Sequence, residues 1–260
     1  MRAMPKITCS RADCEVAIAD PQGRDKLGAP TDAPPSPFPI RRVGVFKGKV
    51  FKGMRRSRRS RRMSGVPTIW FVRHGQTDWN AEGRLQGHRD TDLNANGLAH
   101  AAEAAARLRR IAGAELPTAD YVASPLTRTR RTMEILRTGI GLPAGGYRAD
   151  MRLREIGFGA WEGRTWAEIR RRDPAGAAAR DRDRWGYQPR GEGAESYAMV
   201  EARVEEVVAE LRRPTVMVAH GGVARALLVV AGHLDIYAAP RLGIRQGSIL
   251  VIEPGGWRWA

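Results

Sequence analysis

The chain has 260 residues and a formal net charge of +16, long enough for one large core and for one or two domains. Its two cysteines, Cys9 and Cys14, lie near the N-terminus, which excludes a disulfide framework, a CxxC redox pair or a Cys-ligated zinc in everything that follows. No apolar run approaches the roughly 18 residues of a membrane span, and no signal-peptide pattern follows Met1, so a soluble cytoplasmic protein without a membrane partner is expected.

The charge is unevenly spread. Residues 1–62 hold 16 of the 44 Lys and Arg but only 5 of the 28 Asp and Glu, a net of +11. Residues 63–260 hold 28 basic and 23 acidic residues, a net of +5, and contain no lysine. The first segment includes the proline-rich "GAPTDAPPSPFP" and the like-charged "RRSRRSRR", a composition that repels itself in any compact structure. A disordered basic extension is expected for 1–62 and a folded domain for 63–260. Met63, directly before "SGVPTIWFV", is an alternative native start, with 1–62 then an over-extended gene model. A nucleic-acid-binding arm is the alternative from another functional class.

From Pro67 onward, strand-like and helical patterns alternate. "TIWFV" predicts a strand buried on both faces. "NGLAHAAEAAARLRRIA" predicts a helix with Asn94 as N-cap and with Leu98, Ala101, Ala102, Ala105 and Leu108 on its apolar face. "DYVAS" reads as a strand, and "PLTRTRRTMEILRTG" as a helix with Pro125 in its first turn and Gly139 past its end. "YAMVEARVEEVVAELRR", "TVMVAH", "GVARALLVVAG" and "SILVIEP" then give helix, strand, helix and strand. This alternation predicts an α/β fold, a three-layer sandwich with a mostly parallel central sheet and helices on both faces.

In such a sheet, ligands bind beyond the carboxyl ends of the strands. The first strand ends in Arg73 and His74, "DYVAS" ends at Ser124 with Arg128 one turn into the next helix, and "TVMVA" runs into His220, Gly221 and Gly222. A lone histidine is more often a satisfied core residue; here three strand ends share one rim. That rim suits a phosphate, because guanidinium forks match phosphoryl oxygens and helix N-termini add N–H donors. A nearby imidazole there serves as nucleophile, acid/base or further donor. GxxxxGK[ST] and a post-strand GxGxxG are both absent, and no dense acidic cluster points to Mg²⁺, so no cofactor and no metal are expected.

The ordered set "RHGQTDWN", "RLQGHRDTDLNANG", "SPLTRTRRT", "LREIGFGAWEG", "GAES" and "VAHGG" resembles the histidine phosphatase (phosphoglycerate mutase-like) superfamily over about Pro67 to Glu253. The resemblance implies a phosphoglycerate mutase-like fold and a metal-independent phosphomonoesterase acting on a small phosphorylated metabolite. It implies that His74 is the nucleophile, that Arg73, Arg128 and His220 hold the phosphoryl oxygens, and that Glu155 protonates the leaving alcohol and activates water. Asn80, Gln86, Gly87 and Gly221 match substrate-binding positions. A homodimer stays open, and nucleic acid is not expected as a partner.

Mutases of this family follow the acidic residue with arginine and tyrosine, whereas Glu155 precedes Ile156, Gly157 and Phe158, the pattern of phosphatase branches. A cofactor-dependent phosphoglycerate mutase is the alternative. The resemblance makes Ala167–Gly193 a lid, whose arginines with interleaved aspartates are expected to form a solvated helix with local ion pairs. Trp161, Trp166, Trp185 and Tyr187 offer an apolar wall. Ser124 reads as a helix cap, Glu195 and Ser196 as either a substrate motif or a helix start, and His88, His100 and His233 as ordinary surface or packing residues.

Overall fold

The structure is a computed structural model that describes residues 66–260, which belong to one compact unit. The expectations for residues 1–62 lie outside the described residues. Among the described residues a six-stranded sheet is formed by β1 (Ile69–Arg73), β2 (Asp120–Ala123), β3 (Arg148–Ala149), β4 (Thr215–Ala219), β5 (Ile249–Glu253) and β6 (Gly256–Trp259), in the order β3-β2-β4-β1-β5-β6. The first four in that order run parallel, and β5 and β6 add an antiparallel edge. The expected three-layer α/β sandwich is what the chain forms. β3, only two residues long, and β6, which follows the Pro254–Gly255 turn, escape a reading based on apolar runs.

Strand alternation explains the layers. Ile69, Phe71, Met217, Leu250 and Ile252 face α6 (Tyr197–Glu210) and α7 (Gly221–Val230). Trp70, Val72, Val216, Val218 and Val251 face α2 (Ala95–Ala112) and α3 (Thr127–Gly139). Truncating Trp70 or Phe71 to alanine would cost about 3–5 kcal/mol, as for other fully buried aromatic side chains.

Local expectations for two helices are corrected. Asn94 does cap α2, accepting from Gly97 N–H at 2.9 Å, but the buried stripe is Gly97, Ala101, Ala104, Ala105, Leu108 and Ala112, while Leu98 and Ala102 are exposed. The helix docks through Gly97, where a Cβ would lie 2.0 Å from the Gln76 carbonyl oxygen, and this close approach turns Leu98 outward. Pro125 lies outside α3, because the cap comes from a distant loop: Asp90 accepts from Thr127 N–H at 2.7 Å and from Thr127 Oγ1 at 2.8 Å. Gly139 is inside the helix, where a Cβ would stand 2.6 Å from the Ala105 Cβ.

A smaller layer covers one end of the sheet. Helices α4 (Trp166–Arg172) and α5 (Pro174–Arg182) bury Ile169 and Ala177 against Trp161. Asp173 ties them together, accepting from Gly176 N–H at 2.9 Å and from Trp161 Nε1 at 3.0 Å. A four-residue helix, α1 (Asp78–Ala81), starts at a Thr77–Asn80 capping box. No described helix is long and apolar enough to cross a membrane.

Candidate active site

Strand register assembles the site. Arg73 pairs with Ala219 and Ala123 with Val218, so the next residues, His74, His220 and Ser124, stand together at the carboxyl edge. The backbone continues the ladder there, with His74 N–H on the Ala219 carbonyl and Ser124 N–H on that of Val218, each at 3.0 Å. Gly75 then turns the chain against α2, where a Cβ would lie 2.2 Å from the Gly97 carbonyl oxygen.

These residues open onto a cleft of about 430 Å³, within the range of small-ligand sites. Of the residues expected at the site, Arg73, His74, Arg128, Glu155, Asn80, Gln86, Gly87 and Gly221 line it. His220 lies fully buried behind them, its ring edge-on to that of His74 with centroids 5.1 Å apart.

His74 Nδ1 is 2.7 Å from the carbonyl oxygen of Gly75. A carbonyl only accepts, so Nδ1 carries the proton and Nε2 keeps its lone pair. Burial, then the charges of Arg128 and Arg73, hold the His74 pKa well below 6.5. Burial, then Arg128, His74 and Arg73, do the same to His220. Arg73 is lowered to about 10 by burial, against the pull of Glu155 and with a further push from Arg225; Arg128 is also lowered to about 10, chiefly by burial. Both stay cationic at neutral pH.

Arg128 is braced at one side, donating from Nη1 to Arg89 O at 2.7 Å and from Nη2 to Gly87 O at 3.0 Å. Gly87 must be glycine: its φ is +53°, and a Cβ would sit 2.0 Å from Glu162 Oε1. Arg73 donates from Nη1 to Ile244 O. Arg73 Nε, Arg128 Nε and His220 Nδ1 are among the buried polar atoms with no hydrogen-bond partner within the described residues, so a bound oxyanion would satisfy groups the protein leaves unpaired.

Glu155 lines the cleft, whereas Glu162, seven residues later, accepts from His88 N–H at 2.9 Å and Phe158 N–H at 3.2 Å. Glu155 Oε1 accepts from the N–H groups of Ile156 and Gly222, both at 2.9 Å, leaving Oε2 for the cleft. Its loop is strapped to α6: Arg203 donates to Glu195 at 3.0 and 2.9 Å and to the Glu155 carbonyl at 3.3 Å, and Glu195 accepts from Gly157 N–H at 3.0 Å. Glu195 is thus a strut, and Ser196 caps α6, accepting from Met199 N–H at 3.3 Å. Of the four aromatics offered as a wall, Trp166 lines the cleft, while Trp161 and Trp185 are buried and Trp161 stacks on Tyr187.

Some contributors were not anticipated. Ser124, read as a helix cap, has its hydroxyl 2.8 Å from His220 Nε2. Thr132 accepts from Gly75 N–H at 3.2 Å, steadying the turn after His74. Arg225, one helical turn beyond Gly221, lines the cleft and donates to Tyr197 Oη at 3.1 Å; its i+4 spacing from a residue at the site was the available signal. Arg170, Arg180 and Arg184 of the lid also line the cleft, so the expected solvated helix is only half of the picture.

An α/β sheet that gathers arginines, two neutral histidines and a carboxylate at its carboxyl edge defines an enzyme of phosphoryl groups. The family model for the histidine phosphatase superfamily (branch 1) matches residues 69–260. A glucosyl-3-phosphoglycerate phosphatase from Mycobacterium tuberculosis is 37% identical over 200 residues, covering 72% of this chain and 85% of the relative. A probable phosphoglycerate mutase GpmB from Shigella boydii is 31% identical over 198 residues, covering 71% and 84%. The structure of mycobacterial glucosyl-3-phosphoglycerate phosphatase with VO3 superposes with a TM-score of 0.62 at 35% identity, covering 75% of this chain and 97% of that one. The chain belongs to the histidine phosphatase superfamily, and it is a phosphatase.

Proposed function

We propose that the protein is a metal-independent phosphomonoesterase that hydrolyses a small phosphorylated metabolite through a phosphohistidine at Nε2 of His74. The carrying observation is the hydrogen bond from His74 Nδ1 to Gly75 O, which leaves Nε2 unprotonated in a cleft lined by Arg73 and Arg128. Nε2 attacks phosphorus, the P–O ester bond breaks in line, and Glu155 passes a proton to the departing oxygen. Glu155 then receives a proton from water, whose oxygen attacks phosphorus, breaks the P–N bond and releases inorganic phosphate. Arg73, Arg128, His220 and the Gly221 N–H at the start of α7 neutralise the charge on the oxygens in flight. Asn80 and Gln86 offer their side-chain amides to the substrate, and Gly87 acts through its carbonyl by holding the Arg128 fork. Among the described residues no group of three His, Cys, Asp or Glu is placed to hold a metal ion.

The relatives make glucosyl-3-phosphoglycerate and simpler glycerate phosphates the first substrates to assay. The test is His74→Ala, which abolishes phosphate release, beside rapid-quench trapping of an acid-labile, alkali-stable phosphoprotein in the unmodified enzyme; a chelator leaves the rate unchanged. Hydrolysis that persists in His74→Ala overturns the reading. The relative named as a probable mutase supports a second reading, phosphoglycerate mutase. Isomerisation of 3-phosphoglycerate faster than every hydrolysis rate would put it first, against the Ile156–Gly157–Phe158 sequence that follows Glu155.

A further inference from the structure

Thr77, fully buried three residues after His74, holds two side chains of the cleft wall at once. As N-cap of α1 it accepts from Asn80 N–H at 3.2 Å, and its hydroxyl proton goes to Gln86 Oε1 at 3.0 Å. Its own N–H donates to Asn80 Oδ1 at 3.2 Å. Thr91 brings a second hydroxyl to Gln86 Oε1, at 2.5 Å. These contacts fix which way each amide faces. A backbone N–H can only donate, so the Asn80 atom that it meets is the oxygen. A separation of 2.5 Å fits O–H···O and is too short for an N–H donor, so the Gln86 atom between the two hydroxyls is also the oxygen. Every hydrogen bond that these two side chains make among the described residues thus ends on an oxygen, while both residues line the cleft. Asn80 Nδ2 and Gln86 Nε2 remain as donors on that wall. A capping box ordinarily serves its helix, but α1 has four residues and none of them is buried. What the box positions is Asn80.

We propose, building on the phosphomonoesterase reading, that Thr77 is a positioning residue that sets the polarity of the cleft. Through one buried hydroxyl and one backbone N–H it turns both amides so that their NH2 groups, and not their carbonyl oxygens, meet the substrate. The amides then join the guanidinium groups of Arg73 and Arg128, and phosphoryl oxygens meet donors along this wall. A reversed amide would set a carbonyl oxygen against a phosphoryl oxygen and repel where it now attracts. Thr91 supports the Gln86 arm alone; Thr77 is where the two arms join.

The experiment measures inhibition of p-nitrophenyl phosphate hydrolysis by inorganic phosphate in variants of the full chain, beside thermal unfolding. Gln86→Glu and Gln86→Met both remove the inward NH2 group. Glutamate, however, keeps an oxygen for the two threonine hydroxyls and turns its other oxygen to the cleft. The inhibition constant for phosphate is expected to rise roughly tenfold in Gln86→Met, the value of a charge-assisted hydrogen bond, and further in Gln86→Glu. If Gln86 only bridges the threonines, the order reverses and Gln86→Glu binds phosphate better than Gln86→Met, which overturns the proposal. Thr77→Val, which keeps the shape and loses the hydroxyl, raises the constant by roughly tenfold or more, and Thr77→Ser restores most of the loss. Combining Thr77→Val with Gln86→Met costs less than the product of the two separate effects, because Thr77 acts through Gln86. Independent effects in that cycle, or an unchanged constant in Thr77→Val, also overturn the proposal. The Gln86 pair decides alone if Thr77→Val melts early. Phosphoprotein trapping in the unmodified enzyme tests the phosphohistidine reading separately, since inhibition by phosphate needs no covalent step.

Discussion

Ser124 Oγ stands 2.8 Å from Nε2 of His220, joining the carboxyl ends of β2 and β4 behind the cleft. Both residues are fully buried, so no bulk water replaces the hydroxyl when it is removed. The bond sets the plane of the His220 ring and with it the direction of the unpartnered Nδ1. Ser124→Ala is expected to lower kcat roughly 10- to 100-fold with little change in KM, the effect of losing one buried hydrogen bond of about 1–3 kcal/mol. Ser124→Thr restores part of the rate. Steady-state kinetics beside thermal unfolding separate this from general destabilisation; an unchanged kcat in Ser124→Ala would mean that packing alone orients His220.

Gly222 tests the placement of Glu155. A Cβ at this position would lie 2.4 Å from Glu155 Oε1 and 2.9 Å from Ile156 Cγ2. Gly222→Ala therefore displaces the carboxylate from the cleft, and a displacement of this order costs about 100-fold in rate. Gly243→Ala is the control, since a Cβ there meets nothing within 4 Å and its φ is not positive. Loss of kcat in the first variant alone, with both melting like the native enzyme, is the expected result.

Much of this site was legible because it is written locally. An apolar strand that ends in Arg73 and His74, or runs into His220 and two glycines, announces its polar end within a few residues. Arg128 is legible for the same reason, one turn into the helix after Ser124, and its neighbours Arg130 and Arg131 are exposed. Ser124 was misread because its partner is 96 residues away, and a hydroxyl before a helix looks like a cap whatever else it does. Leu98 was misplaced because a glycine contact, invisible to hydrophobic periodicity, sets the rotation of α2. The lid arginines have no single periodic face; only the packing of α4 and α5 on Trp161 decides which of them turn inward.

Stability should fall on acidification before any carboxylate titrates. His74 and His220 are buried neutral, with pKa values held well below 6.5 by burial and then by Arg128. In the unfolded chain each binds a proton below about pH 6.5. The unfolded state then carries more protons, so stability present above that pH is lost as pH drops through it, by up to about 2.7 kcal/mol per unit for the two groups. His74→Gln should halve that slope. Glu195 adds a separate loss from about 4.5 towards 2: burial raises its pKa, but His88 at 3.4 Å and the Arg203 fork outweigh this and hold it at about 2. Urea unfolding across pH 5–8 measures the histidine limb, and a flat profile below 6.5 would contradict the neutral assignment of both rings.

We propose that the basic extension can be removed without loss of the catalytic domain. A chain starting at Met63 keeps Val66, seated in the α6–α7 core, and the Thr68 carbonyl that accepts from Thr215 N–H at 2.9 Å. Every described residue lining the cleft lies at or beyond Arg73. Its kcat/KM is therefore expected within about twofold of the full chain, since every described residue lining the cleft is retained. Affinity for polyanions should change sharply, because the deleted segment carries +11 of the +16 formal charge. A salt titration of DNA binding reads this directly, the slope of log K against log salt falling by about 0.9 for each phosphate contact removed. Activity lost on truncation would make the extension part of the enzyme. Salt-dependent DNA affinity that survives truncation would place nucleic-acid binding on the catalytic domain itself.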